Sequence, residues 1–217
     1  MSTTIAFLGP AGTFTEAAMQ RFAADLGETQ PLPVGSPKEA LAAVRSGKAD
    51  YACVAIENSV DGPVTATFDA LADGTPVQIY REVDLPVSFS ILTRGKSAKE
   101  IKTLSTHPVA YQQVRGWLEE NLPGVEYVPA ASNGAAAQAV ARGEVDAAAA
   151  PARAGDIFEL ESLAENVADV AGATTRFVLV GPAGRPTART GHDRTSVIFT
   201  LPNEPGSLVG ALQEFAC

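Results

Sequence analysis

Thr175 and Arg176, preceded by Thr174, stand in a mostly apolar run between Val170-Ala171 and Phe177-Val178-Leu179-Val180. A guanidinium in such a strand needs a carboxylate partner or a path to water, because an unpaired buried charge is very costly. An arginine paired to an acid at a strand edge and an arginine facing a bound anion both fit that position. Glu57-Asn58-Ser59 closes a second apolar run, Tyr51 to Ile56. Strand ends of this kind are where α/β folds collect ligands, although an ordinary polar loop start has the same composition. Gly9-Pro-Ala-Gly12-Thr13-Phe-Thr15-Glu16 follows a strand-like run and opens a helix-like one. Its N–H groups and the hydroxyls of Thr13 and Thr15 can hold an anion at the positive end of a helix dipole, or form a plain structural turn. It is neither a Walker A nor a GxGxxG sequence, so nucleotide binding is unsupported. Ser132-Asn133-Gly134 offers a second set of N–H donors or simply a helix cap. His107, just before Pro108, has the position of a capping residue, with catalysis the less common use. The other histidine is His192, and two histidines so placed build no Ser/His/Asp triad.

The elements that must position these residues follow from period and punctuation. Short apolar runs alternate with amphipathic stretches up to about residue 182, which predicts an α/β fold with mostly parallel strands. Ile5 to Leu8 is expected as a strand and residues 14 to 26 as a helix. Ser36 to Ser46 is expected as a helix with Ser at the N-cap, Pro at the first helical position and Gly47 as the stop. The stretch Ser36 to Ala52 has an ungapped echo in Ser132 to Ala148, sharing Ser36/Ser132, Gly47/Gly143, Asp50/Asp146 and Ala52/Ala148. Both copies spell capped helix, glycine stop, Asp and buried strand, which predicts two lobes with similar α/β units. Lobe 1 is expected over about residues 1–80 and 171–182, and lobe 2 over about 95–170, with strands near 103–106, 126–129 and 147–150. The extended stretches Pro76 to Thr93 and Val170 to Gly181 would cross between the lobes and line a cleft, as in two-lobed periplasmic binding proteins. Thr175 and Arg176 would then both face the cleft floor. Residues 183–193 form a Pro/Gly-rich linker, and 194–217 offer one strand, Thr195 to Leu201, and a helix from about Ser207.

Bulk properties exclude several classes. A chain of 217 residues with 46% hydrophobic content can bury a core. Its net charge of −9 and the lack of any Lys/Arg run argue against nucleic acid or an acidic membrane surface as partner. Cys53 and Cys217 are the only cysteines, and no CxxC or Cys/His cluster supports a disulfide framework or a metal site. No apolar run approaches membrane-spanning length and the start lacks signal-peptide character, so a cytoplasmic protein is expected.

Taken together, Gly9-Pro-Ala-Gly-Thr-Phe-Thr-Glu16, Ile56-Glu-Asn-Ser59 with Gly62, His107-Pro108 with Gln113, and Thr175-Arg176-Phe177 resemble the prephenate dehydratase family in order and spacing over about residues 4 to 181. The tail, with Asn203-Glu-Pro-Gly-Ser-Leu208, resembles the start of the ferredoxin-like α+β ACT domain that binds phenylalanine in this family. The resemblance implies conversion of prephenate to phenylpyruvate with loss of CO2 and water, in a cofactor-free cleft, by a homodimer or homotetramer. It makes Thr175 the residue needed for activity. Glu57 is the only carboxylate of these motifs that desolvation in a cleft could keep protonated at neutral pH, which suggests it as an auxiliary acid or orienter. Arg176 would clamp a substrate carboxylate through two parallel hydrogen bonds. Phe177, Asn58, Ser59, Gly12, Thr13, Ser132, Asn133, Gly134, Gln113 and His107 would complete the substrate site. Departures from the family pattern are Ala173 and Ala55, where many relatives carry Asn and Pro. The ACT-like segment reaches Cys217 without the later phenylalanine-binding element, which predicts impaired feedback control. Arogenate as substrate and carboxylate binding without turnover are the competing expectations.

Overall fold

In the computed structural model the residues described are 2–216, so Cys217 lies outside them. The chain divides into two compact units, one up to Arg185 and one from Pro186 onward. The first unit begins β1 (Thr3–Leu8), α1 (Phe14–Ala23), β2 (Thr29–Val34), α2 (Pro37–Arg45), β3 (Tyr51–Asn58), β4 (Gly62–Pro63), α3 (Thr65–Ala72) and β5 (Val77–Pro86). It continues β6 (Ser90–Thr93), β7 (Thr103–Thr106), α4 (Pro108–Asn121), β8 (Glu126–Pro129), α5 (Asn133–Arg142), β9 (Ala147–Ala150), α6 (Ala152–Phe158) and β10 (Glu161–Ala164), and β11 (Thr174–Pro182) closes it. One sheet has the order β2-β1-β3-β11-β5 with β4 on β3, and the other β10-β6-β9-β7-β8.

The expected mostly parallel sheet is mixed. Pairs β1/β2, β1/β3, β7/β8 and β7/β9 are parallel, whereas the pairings of β4, β5, β6, β10 and β11 are antiparallel. The cause is the double crossing, since β5 runs outward and β11 runs back beside it. Beyond them, the Val87 N–H donates to Ala173 O at 2.7 Å and the Val167 N–H to Phe89 O at 3.0 Å, so the two crossing segments stay paired between the sheets.

The internal echo is structural. Ser36 and Ser132 both cap from an extended backbone, accepting from the N–H of Glu39 and Ala135. Gly47 and Gly143 both take positive φ, 71° and 77°, the left-handed turn that favours glycine after a helix. Asp50 accepts from the Thr4 N–H, and Asp146 from the N–H groups of Lys102 and Thr103, so each fastens the start of the strand parallel to its own. Lys96 pairs with Asp146 and, with those N–H donors, holds its carboxyl well below the usual range.

Other expectations shift. The first helix ends at Ala23 and continues only as turns to Leu26. β2 carries Pro31 and Pro33, which argue against a strand, yet it lies at a sheet edge where proline costs no ladder bond. The predicted strand over Thr195 to Leu201 does not form, because among the described residues from Pro186 on there is only a helix, α7 (Ser207–Gln213), and no strand to pair with.

Candidate active site

Thr175 sits near the start of β11, opposite Asn58 at the end of β3. It is 7% exposed, and its Oγ1 accepts a hydrogen bond from Asn58 Nδ2 at 3.0 Å. The Asn58 amide cannot turn over freely, because its Oδ1 accepts from the N–H groups of Val60 at 2.8 Å and Asp61 at 3.2 Å. With Asn58 donating, the Thr175 proton is left to be donated elsewhere. Ser59 fastens the same junction: its N–H donates to Thr174 O and its Oγ accepts from the Thr174 N–H, both at 2.9 Å. An extra residue in β3, Ile56, shifts register between Arg176/Glu57 and Phe177/Ala55, a bulge that re-aims this strand end.

Thr175 opens on a cleft of about 160 Å³ that the starts of three helices share. Thr13 caps α1, its Oγ1 accepting from the Glu16 N–H at 3.1 Å and donating to Leu8 O at 3.1 Å. Ser132 caps α5, accepting from the Ala135 N–H at 3.1 Å. His107 caps α4, its Nδ1 accepting from the Val109 N–H at 3.3 Å and its own N–H donating to Asn133 Oδ1 at 3.2 Å. Burial lowers the pKa of His107, so the ring is neutral at pH 7, and with Nδ1 accepting, its proton lies on Nε2. The N–H groups of the first helical turn have no partner within the helix, so Phe14 and Thr15 on α1 and Asn133 and Gly134 on α5 are the donors available to an anion. Among the described residues lining the cleft, none is Lys, Arg, Asp or Glu. Phe14 and Phe89 meet edge to face at 5.5 Å and, with Val87, give it an apolar wall.

Arg176 points to the other face of β11. Its Nη1 lies 3.0 Å from Glu57 Oε2 and its Nε 3.3 Å from Asp84 Oδ1, so it is held by two acids from the flanking strands. The expectation that Arg176 and Thr175 both face the cleft is therefore corrected: side chains alternate along a strand, and the guanidinium is drawn to Glu57 and Asp84 on the other face. Glu57, half exposed and paired with Arg176, is likewise absent from the cleft lining and is not placed as an acid beside Thr175. Phe177 shares the face of Thr175 but is 2% exposed, packed among Ile5, Phe7, Met19 and Leu179 beneath the site rather than in it.

The prephenate dehydratase family model matches residues 5–185. The chain belongs to the prephenate dehydratase family. It is 58% identical over 220 residues to the prephenate dehydratase of Corynebacterium glutamicum, covering 99% of this chain and 70% of that protein. Among solved structures it matches the prephenate dehydratase of Arthrobacter aurescens in complex with L-Phe, with a TM-score of 0.90 and 43% identity over 99% of this chain and 71% of that one. It also matches GqqA, described as a novel type of quorum quenching acylase, with a TM-score of 0.73 and 29% identity over 98% of this chain and 77% of that one.

Two glycines expected in the substrate site serve packing. A Cβ on Gly134 would lie 2.6 Å from Ala11 O and 3.1 Å from Thr13 Cγ2, so α5 starts directly against the loop that opens α1. Gly12 has φ +84° and faces Ala154 and Phe158 of α6, where a Cβ would meet carbons at 3.1 to 3.3 Å. The Gly12 N–H is also spoken for, donating to Glu16 Oε2 at 2.8 Å, and the Gly9 N–H donates to Val34 O at 3.0 Å. Neither glycine N–H is left for a substrate anion, which corrects the expectation for Gly12. Gln113, 3% exposed, does reach the cleft from α4, donating through Nε2 to Asp61 Oδ2. Sequence reasoning did not single out Phe14, Val87 and Phe89, although Phe14 lies in the Gly9 to Glu16 motif and Val87 and Phe89 lie in a stretch expected to line the cleft. It also passed over Asp61, an acid two residues past Glu57-Asn58-Ser59.

Among the described residues no helix is long and apolar enough to cross a membrane, and no group of three His, Cys, Asp or Glu is placed to hold a metal ion. Cys53 is buried beneath α1 with its thiol pKa pushed up by desolvation, which makes it an inert core residue.

Proposed function

We propose that the cleft at Thr175 converts prephenate to phenylpyruvate, with loss of CO2 and water, on the way to phenylalanine. The observation that carries this reading is the Thr175 hydroxyl, which accepts from a locked Asn58 amide at 3.0 Å and so keeps its own proton for a ligand. In prephenate the ring hydroxyl leaves with its bonding pair while the pair of the ring C–CO2 bond enters the ring, which becomes aromatic. One proton is taken up and one water released. Thr175 donates a hydrogen bond to the departing oxygen, the atom on which negative charge builds, so the bond is stronger in the transition state than in the ground state.

The neutral lining suits the other half of the reaction. The ring carboxylate loses its charge as CO2 forms, so a cation beside it would stabilise the ground state more than the transition state. Helix-start N–H groups of Phe14, Thr15, Asn133 and Gly134 hold the side-chain carboxylate with partial charges instead. Phe14, Val87 and Phe89 receive the ring as it becomes planar.

Phenylpyruvate formation is the test, for the unmodified chain and for Thr175→Ala, each with and without phenylalanine. Turnover lost in the variant supports the reading; equal turnover in both removes Thr175 from the mechanism. Phenylalanine as an effector rests on the relative solved with L-Phe and on the ACT-like residues after Pro186. A homodimer or homotetramer belongs to the same proposal and is read by light scattering.

A further inference from the structure

One turn, Asn58 to Asp61, touches two of the cleft's polar side chains. Its first residue donates to Thr175, and its last holds Gln113 across 52 residues of sequence, through the Nε2 donor and Asp61 Oδ2. The turn is itself tied together, since the Asp61 N–H donates to Asn58 Oδ1. With Nε2 given to Asp61, the Gln113 amide has one orientation, and its Oε1 is the single buried side-chain polar atom without a hydrogen-bond partner among the described residues. Native proteins seldom leave a buried acceptor unpaired, and Gln113 is one of the residues that line the cleft.

We propose that Asp61 is a positioning residue for the dehydration, fixing the Gln113 amide so that Oε1 accepts from the hydroxyl that leaves. The proposal rests on prephenate being the substrate. Apart from that hydroxyl, prephenate presents only carboxylate and keto oxygens, all acceptors, so an unpaired acceptor in the cleft is complementary to the hydroxyl alone. Thr175 donates to the same oxygen. As the oxygen gains hydrogen-bonded protons and becomes water, its O–H becomes a stronger donor, and the bond to Gln113 tightens along the reaction.

The test is a double-mutant cycle on kcat and KM. Asp61→Ala is expected to lower kcat about tenfold with thermal stability unchanged, because Asp61 is exposed. Asp61→Asn, whose carbonyl oxygen still accepts from Nε2, is expected to stay within about threefold of the unmodified chain. In a Gln113→Leu background Asp61→Ala is expected to do nothing further. Equal losses in both backgrounds, no loss in either, or Asn behaving as Ala would overturn the assignment. NMR of the Gln113 side-chain amide, identified by its disappearance in Gln113→Leu, gives a readout free of activity: its signals must move in Asp61→Ala, and unmoved signals reject the contact. A chain that fails to turn over prephenate at all rejects the functional reading instead, and the amide signals still judge Asp61.

Discussion

Thr175 and Arg176 are neighbours in one strand, yet their surroundings have little in common. On one face of β11 a hydroxyl, fixed by a single amide, opens on a cleft without formal charge. On the other a guanidinium is held between Glu57 and Asp84 at the sheet surface. The pair teaches that a charged residue beside one that opens on the cleft need not open on it too. Arg176 ties the ends of β3 and β5 to β11, and so supports the frame from which Thr175 projects.

The sharpest way to break the comparison is to remove each side chain in turn. Thr175→Ala is expected to cut kcat by about 10² or more, the range of a lost proton-handling group, while Thr175→Ser keeps a large share of it. Arg176→Met, by contrast, is expected to leave kcat within about twofold and cost at most about 1 kcal/mol in denaturant unfolding, because both of its partners are half exposed. A collapse of kcat in Arg176→Met would put the guanidinium back among the groups that hold substrate.

Gly134→Ala probes the seam behind the cleft. Its Cβ would meet a backbone carbonyl at 2.6 Å, so the start of α5 must shift, with an expected loss of about 2 kcal/mol and a raised KM. Unchanged stability would mean that α5 does not abut the Gly9 to Thr13 loop.

The smallest expected effect is that of His107. Its pKa is lowered from 6.5 by burial, so the folded chain favours the neutral ring. That contribution to stability is present above the unfolded value of 6.5 and is lost as pH falls through the lower folded value. His107→Gln is expected to flatten the stability profile over that window, as followed by thermal melts. An unchanged slope assigns the acid sensitivity elsewhere.

What was legible in the sequence was local. Ser36 and Ser132 announce helix starts through contacts three residues away, and the Asp50/Asp146 echo marks the same fastening in both sheets. Thr175 was legible because a polar residue in an apolar strand has to be explained. Which neighbour faced the cleft was not, since alternation separates Thr175 from Arg176 without saying which way either points. The Gly12 N–H was read as free because a turn sequence does not disclose that Glu16 reaches back to it. Pro31 and Pro33 hid β2, as only a sheet can reveal an edge. Thr195 to Leu201 failed in the opposite sense, having a strand's composition and, among the described residues from Pro186 on, no strand to pair with.

The uncharged lining of the cleft has a consequence for how substrate arrives. A prephenate dianion approaching a chain of net charge −9 meets a repulsive far field, and among the described residues no lysine or arginine lines the cleft to draw it in. Encounter is then slowest at low ionic strength, and added salt, by shortening the reach of that field, is expected to raise kcat/KM rather than lower it. On the proposed reading, capture rests on dipoles and apolar walls at close range, and turnover is expected to be faster in salt than in dilute buffer.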